Sequence, residues 1–207
     1  MKSAEVFALC LIVTVVSFLG FIVENVWLSM TKGFIDNRNM TLPFLLGYGI
    51  AIVLIYLLFG TPEHLRILGL DAGMTNTFAQ TVIYYGIVIV CVSVGEIALG
   101  TLVEKTCGII WWDYTRLPMH ITKYTSVPTS MAFSLGITVF MRRFFTPLMT
   151  RFVEMESDNL KFWAITFMTL LCVDFLVNAA RVITTGELRP TWKIDTTHTR
   201  GYRLLHL

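Results

Sequence analysis

Charge is scarce in this chain. Asp, Glu, Lys and Arg make up 14% of the 207 residues, with a formal balance of +2. The basic residues are dispersed between apolar stretches rather than clustered, which argues against a nucleic-acid partner. Paired cysteines are lacking as well. Cys10, Cys91, Cys107 and Cys172 are scattered, three of them within apolar runs, so neither a zinc site nor a disulfide framework is expected. Buried thiols are the ordinary outcome for such positions. His64, His120, His198 and His206 show no helical metal spacing, so no metal or haem site is expected. The phosphate-binding loop of nucleotide hydrolases and the glycine fingerprint of dinucleotide binding are both missing, and no cofactor is expected.

Apolar sequence is what the chain has in excess. Hydrophobic residues make up 55% and the mean hydropathy is +0.69, well above a soluble domain. Runs near the spanning length of about 20 residues recur at roughly 5–29, 42–60, 80–103, 125–142 and 162–184. They predict an all-α polytopic membrane helix bundle of about five transmembrane helices over residues 1–184, with a polar C-terminal tail at 185–207. The first run reads as a retained span. It is too long for a signal peptide, and Glu24 and Asn25 stand where a small-residue cleavage site would be needed. The expected location is a bacterial plasma membrane, crossed several times.

One stretch occurs twice. The first copy runs Leu19-Gly20-Phe21-Ile22-Val23-Glu24-Asn25, then Gly33, Asp36-Asn37-Arg38 and Leu42-Pro43. The second runs Leu99-Gly100-Thr101-Leu102-Val103-Glu104-Lys105, then Gly108, Trp111-Trp112-Asp113-Tyr114, Arg116 and Leu117-Pro118. Each copy ends an apolar helix with a glutamate and continues through a glycine turn, an aspartate and an arginine into the next helix. This predicts a parallel repeat of two helix pairs, 5–60 and 80–142, with a fifth helix at 162–184. Glu24 should then overlie Glu104, by rotation about an axis near the membrane normal.

Polar residues inside the spans all lie toward one face. Glu24 and Asn25 end the first span, Glu96 lies two-thirds through the third, and Glu104 ends it. Asp174, Asn178 and Arg181 recur at i, i+4 and i+7, forming a stripe on the fifth. Ser17, Gly20 and Glu24 form a stripe on the first span, and Ser93, Glu96 and Gly100 on the third. A carboxylate at such depth costs several kcal/mol unless paired, protonated or wetted. Arg38, Lys105, Arg116 and Arg181 are natural partners, and a polar cavity opening to one face and roofed by the repeat loops is expected. Gly47-Tyr48-Gly49 reads as a tight-packing segment. Arg142, Arg143, Arg151 and Lys161 read as a solvated loop facing lipid headgroups. Basic residues are fewer on the N-terminal side than on the other, where Lys32, Arg189, Lys193, Arg200 and Arg203 add to the loop cations; this predicts an outside N-terminus.

Asn37-Arg38, Pro43 and Gly47-Tyr48-Gly49, with Glu104, Gly108, Trp111-Trp112-Asp113-Tyr114, Pro118 and Ile121, resemble the CmpB-like family. These are small multi-pass membrane proteins labelled as ABC-transporter permeases. The resemblance spans about 20–140, and the tryptophan-aspartate-tyrosine run is its most specific part. The family pattern usually has glycine where this chain has Asn39. The resemblance implies a transport class and names no substrate. This chain carries no ATPase motif, so ATP-driven transport would need a separate ATPase subunit.

Three functions follow from these residues. In the first, a permease-type subunit binds an amphipathic or zwitterionic small molecule with Glu24, Asn37, Arg38, Glu96, Glu104, Trp111, Trp112, Asp113, Tyr114, Arg116, Asp174, Asn178 and Arg181. In the second, an intramembrane enzyme uses Glu96 as general acid, with Asp174 or Asp113 as counterpart, on a lipid or isoprenoid. In the third, the polar residues only join helices in a scaffold or assembly protein. Membrane lipid, a separate ATPase and a second copy of the chain are the expected partners.

Overall fold

The computed structural model describes residues 2–155, 157–188 and 190–197. Arg189, His198, Arg200, Arg203 and His206 lie outside the described residues. The chain is mainly helical, as the apolar runs predict. Helix α1 spans Ser3–Lys32, α2 Leu46–Phe59, α3 Thr77–Cys107, α4 Val127–Phe140, α5 Thr146–Glu154 and α6 Asp158–Thr185. Three of them, α1, α3 and α6, are long and apolar enough to cross a membrane. At 1.5 Å per residue the 30 residues of α1 reach about 45 Å, beyond a hydrocarbon core of about 30 Å. Helix α2 is apolar but shorter, with 14 residues.

Local chemistry sets the helix ends. Asn76, Ser126 and Ser157 each accept a backbone N–H in the first turn of α3, α4 and α6. Gly33, Gly108 and Gly186 close α1, α3 and α6 in the left-handed conformation, where a side chain would be strained. The segment around 143–161, read as a loop, is largely helical instead. A π-helical turn at Met141–Phe145 carries α4 into α5 without a break. Pro147 supplies the reason: it has no N–H to give and its ring crowds the carbonyl four residues back, which a widened turn relieves.

Helix α1 is the centre of the bundle. It packs on α2, α5 and α6, while α3 packs on α4. The core gathers Ile12, Tyr84, Val88, Met141 and Phe145, all essentially inaccessible. The outer faces of α3 and α6 expose Val90, Val94, Leu176 and Val177, as lipid-facing surfaces do. Short strands finish the two ends. At one end, β1 (Phe34–Asp36) pairs with a strand of the C-terminal segment, Lys193–Asp195, and β5 (His120–Thr122) pairs with β6 (Thr125–Ser126). At the other, β2 (Gly60–Thr61), β3 (His64–Ile67) and β4 (Leu70–Asp71) form a meander. The strand at Lys193–Asp195, β7, returns to the first loop from across the whole sequence.

Candidate functional site

The first of the two similar segments builds its polar cluster from three elements. Gly20 on α1 lets the Tyr48 ring lie against the helix; a Cβ there would stand 2.5 Å from Tyr48 Cγ. The ring is thereby aimed at Glu24 one turn further on, and the Tyr48 hydroxyl donates to Glu24 Oε1 at 2.5 Å. Glu24 Oε2 lies 3.3 Å from Arg38 Nη2, in a pair whose side chains are only 22% and 17% exposed. Arg38 is held by its turn. Its N–H donates to Asp36 Oδ1 at 2.8 Å, and Asp36 N–H donates to Asn25 Oδ1 at 2.8 Å. Arg38 and Asn39 both have left-handed backbones, with φ of 52° and 61°. Such conformations cost a non-glycine residue roughly 1–2 kcal/mol each. Asparagine tolerates this region best after glycine, which accounts for the glycine usual in the CmpB-like pattern at this place. Arg38 Nε and Asn39 Oδ1 are buried without a hydrogen-bond partner among the described residues.

The second segment repeats the device with other neighbours. Gly100 faces the Tyr124 ring at a distance that leaves no room for a Cβ, and the Tyr124 hydroxyl donates to Glu104 Oε2. Glu104 Oε1 lies 2.5 Å from Lys123 Nζ, with both side chains 36% exposed. Asp113 Oδ1 accepts the N–H of Thr115 at 2.8 Å, as Asp36 accepts that of Arg38. Asn37 O and Tyr114 O likewise each accept an N–H from three residues on, at 2.9 Å, from Met40 and Leu117. Trp112 Nε1 donates to Tyr124 O at 2.8 Å and sets its ring edge-on to Tyr124. The Thr115 amide, foremost, holds the Asp113 carboxyl below the usual aspartate range, helped by the Thr115 hydroxyl, Arg116 and Lys123. The Glu104 carboxylate raises the Lys123 ammonium.

Tyr114 links the two halves. Burial pushes its phenol up, and the nearby carboxylates of Glu96 and Glu24 push it further, against the pull of Arg38. A residue of the second loop therefore stands in the field of the first loop's ion pair. Glu96 has its own partners: Oε2 accepts from Thr125 Oγ1 at 2.6 Å and Ser130 Oγ at 3.3 Å. Ser93 Oγ donates to Ser130 Oγ at 3.0 Å, so the small-residue stripe of α3 meets α4 through hydroxyls.

The α6 stripe turns toward the first loop. Asp174 Oδ1 and Oδ2 accept the N–H groups of Thr41 and Leu42 at 3.1 and 3.2 Å. Asn178 Nδ2 donates to Thr41 Oγ1 at 3.2 Å, and Arg181 Nη2 to Asn39 O at 3.3 Å. Asn37 is buried and spoken for: Nδ2 donates to Met40 O and Thr191 Oγ1, and Oδ1 accepts the Thr191 N–H. Thus Tyr114 stands within electrostatic reach of Glu24, Arg38 and Glu96, while Asn37, Asp174, Asn178 and Arg181 hold the first loop. Glu104 and Trp112 form a separate group around Tyr124, with Asp113 beside it in the field of Lys123. Trp111 is half-buried and Arg116 exposed.

Sequence reasoning missed Tyr48, Tyr124, Lys123, Thr125 and Ser130 as members of these networks. Extending the comparison of the two similar segments past Leu-Pro would have found the tyrosines, since Tyr48 and Tyr124 follow Pro43 and Pro118 by nearly the same interval. A cavity of about 190 Å³ lies away from these carboxylates, between the β2–β3 hairpin and α5.

Residues 11–179 match the model of a family described as "Putative ABC-transporter type IV", the one the tryptophan-aspartate-tyrosine run suggests. The chain belongs to this family. No curated protein and no solved structure matches it. The family match takes in both of the similar segments and the α6 stripe as far as Asn178. Together with three apolar helices of spanning length, it makes this a membrane protein related to ABC transporters.

Proposed function

We propose that the chain is the membrane subunit of a transporter and binds an amphipathic or zwitterionic small molecule at Glu24, Arg38, Glu96 and Tyr114. The observation that carries this reading is the half-buried Glu24–Arg38 pair, set on a left-handed turn with Arg38 Nε unpartnered among the described residues. Strain and unmet polar groups concentrated at one turn are characteristic of binding sites. A zwitterion offers one charge to each member of the pair, and the Tyr48 and Tyr114 rings offer apolar surface beside it. Glu104, Trp111, Trp112, Asp113 and Arg116 line the approach in the second loop.

In this reading α2 and the joined α4–α5 helix complete five spans in a bacterial plasma membrane, and the two helix pairs descend from one duplicated unit. The matching glycine–tyrosine–glutamate sets and aspartate turns support that origin. Hydrolysis of ATP falls to a separate ATPase subunit. The enzyme alternative receives less support, because its carboxylates are engaged apart: Glu96 by Thr125 and Ser130, Asp174 by Thr41 and Leu42, Asp113 by Thr115.

The test compares metabolites and lipids retained by purified protein, read by mass spectrometry, for wild type, Glu24→Gln, Arg38→Gln and Glu96→Gln. Loss of one charge contact should weaken retention roughly tenfold or more while the helices remain folded. Equal retention by all four proteins would remove the binding role from this cluster. Failure of any ATPase to copurify with the intact complex would count against the transporter assignment alone.

A further inference from the structure

The cavity away from the carboxylates has chemistry of its own. It is about 190 Å³, large enough for a phosphate group, and it opens between β2, β3 and the start of α5. Its apolar floor is Tyr56 and Phe145. The polar groups around it are Thr61, His64, Arg66, Thr146 and Thr150, with no carboxylate among them. Thr61 is 7% exposed, and its Oγ1 is buried with no hydrogen-bond partner among the described residues. A buried hydroxyl left in this state is costly unless something meets it.

Arg66 is equally uncommitted. It makes no ion pair among the described residues, and its guanidinium carbon lies 5.9 Å from the centre of the Tyr56 ring, beside the floor. Glu63, the nearest acid in sequence, is engaged by Arg142 at 3.8 Å. Asp71, opposite Arg66 in the strand ladder, accepts the N–H of Gly73 instead. The hairpin that carries these groups is braced: Gln80 Oε1 accepts the Leu65 N–H at 3.1 Å, and Tyr84 donates to Gly60 O at 3.3 Å. A guanidinium, an imidazole and threonine hydroxyls around an apolar floor form a donor set for a tetrahedral oxyanion.

We propose that this cavity between the β2–β3 hairpin and α5 binds a phosphate-bearing anion, either free phosphate or the headgroup of an anionic lipid. Arg66 supplies the charge, and Thr61, whose Oγ1 is closed off in this structure, supplies a hydrogen bond once its side chain turns toward the anion. The proposal is independent of the Glu24 site. The full-length protein in detergent is melted against increasing sodium phosphate, with sodium chloride at equal ionic strength as the control. In a second arm, protein in nanodiscs of phosphatidylcholine with or without phosphatidylglycerol is analysed by native mass spectrometry for retained lipid. Stabilisation by phosphate identifies a soluble anion, and selective retention of phosphatidylglycerol identifies the lipid; either supports the site. Arg66→Gln should weaken the response roughly tenfold or more. Thr61→Val removes the orphan hydroxyl with little change of shape, so it should melt at or above wild type without anion and yet lose most of the response. The proposal is overturned if neither anion acts on the wild type, or if Thr61→Val responds as the wild type does.

Discussion

The two glycine–tyrosine–glutamate sets share a local plan and differ in how they close. In the first, the residue after the tyrosine is Gly49, and α1 comes so near that a Cβ at Gly49 would meet the Val13 carbonyl oxygen and lie 2.7 Å from Ser17 Oγ. In the second, the residue after the tyrosine is Thr125, whose hydroxyl bridges to Glu96 and Ser130. One helix pair is joined by backbone contact and the other by hydroxyls. The glutamates differ accordingly. Glu24 is paired with Arg38 and mostly covered, whereas Glu104 is paired with Lys123 near the surface. A shared motif therefore does not confer a shared environment: the first set is the more enclosed, so its charges are the less screened by solvent.

Gly49→Ala should give the largest effect. The group it would strike is backbone, which cannot rotate away, so thermal unfolding in detergent should show a loss of about 3 kcal/mol. Near wild-type stability would mean that α1 and α2 are not in contact through Gly49. Thr125→Val should cost somewhat less, about 2 kcal/mol, by leaving Glu96 with one hydroxyl donor. If Thr125→Val and Gly49→Ala exchanged order, the contrast between backbone and hydroxyl closure would fail.

The charged pairs sharpen the contrast further. Glu24→Gln should lower stability by about 1 kcal/mol, and the loss should persist in 0.5 M salt because the pair is half-buried. Any loss from Glu104→Gln should fade in the same salt. Equal salt dependence would show that the two carboxylates share one environment.

The smallest effect concerns pH. The folded Asp113 carboxyl is held below its ordinary value, so its contribution is present above the unfolded pKa, about 3.9, and is lost as pH falls through the lowered one. Tryptophan fluorescence should report opening of the Trp111–Asp113 loop below about pH 4. Asp113→Asn should remove that acid transition; its persistence would assign the transition to another group.

Much of this organisation is legible in the sequence. Apolar runs locate the helices, and Gly33 and Gly108 locate two of their ends, because glycine adopts without strain the left-handed conformation that closes a helix. The i, i+4, i+7 spacing of Asp174, Asn178 and Arg181 places all three on one face. What they would meet is not local information: Thr41, Leu42 and Asn39 come from more than 130 residues away. The tyrosines were hidden for another reason. In an apolar membrane chain an aromatic residue has too many ordinary uses for its type alone to mark a hydrogen bond to a glutamate. Helix α5 was hidden because charge and proline read as loop, while a π turn absorbs the proline.

The pairing of Asp36 with Lys193 sets an order of assembly. A ribosome makes this chain from the amino end, and the first four helices have emerged long before residue 193 has. Until then Asn37 lacks Thr191, and the loop that presents Arg38 lacks its strand partner. Long-range closures of this kind come late in folding. A nascent chain can thus have its helices in place while the Arg38 loop is still open, and the enclosed Glu24–Arg38 pair becomes a property of the finished molecule rather than of any intermediate on the way to it.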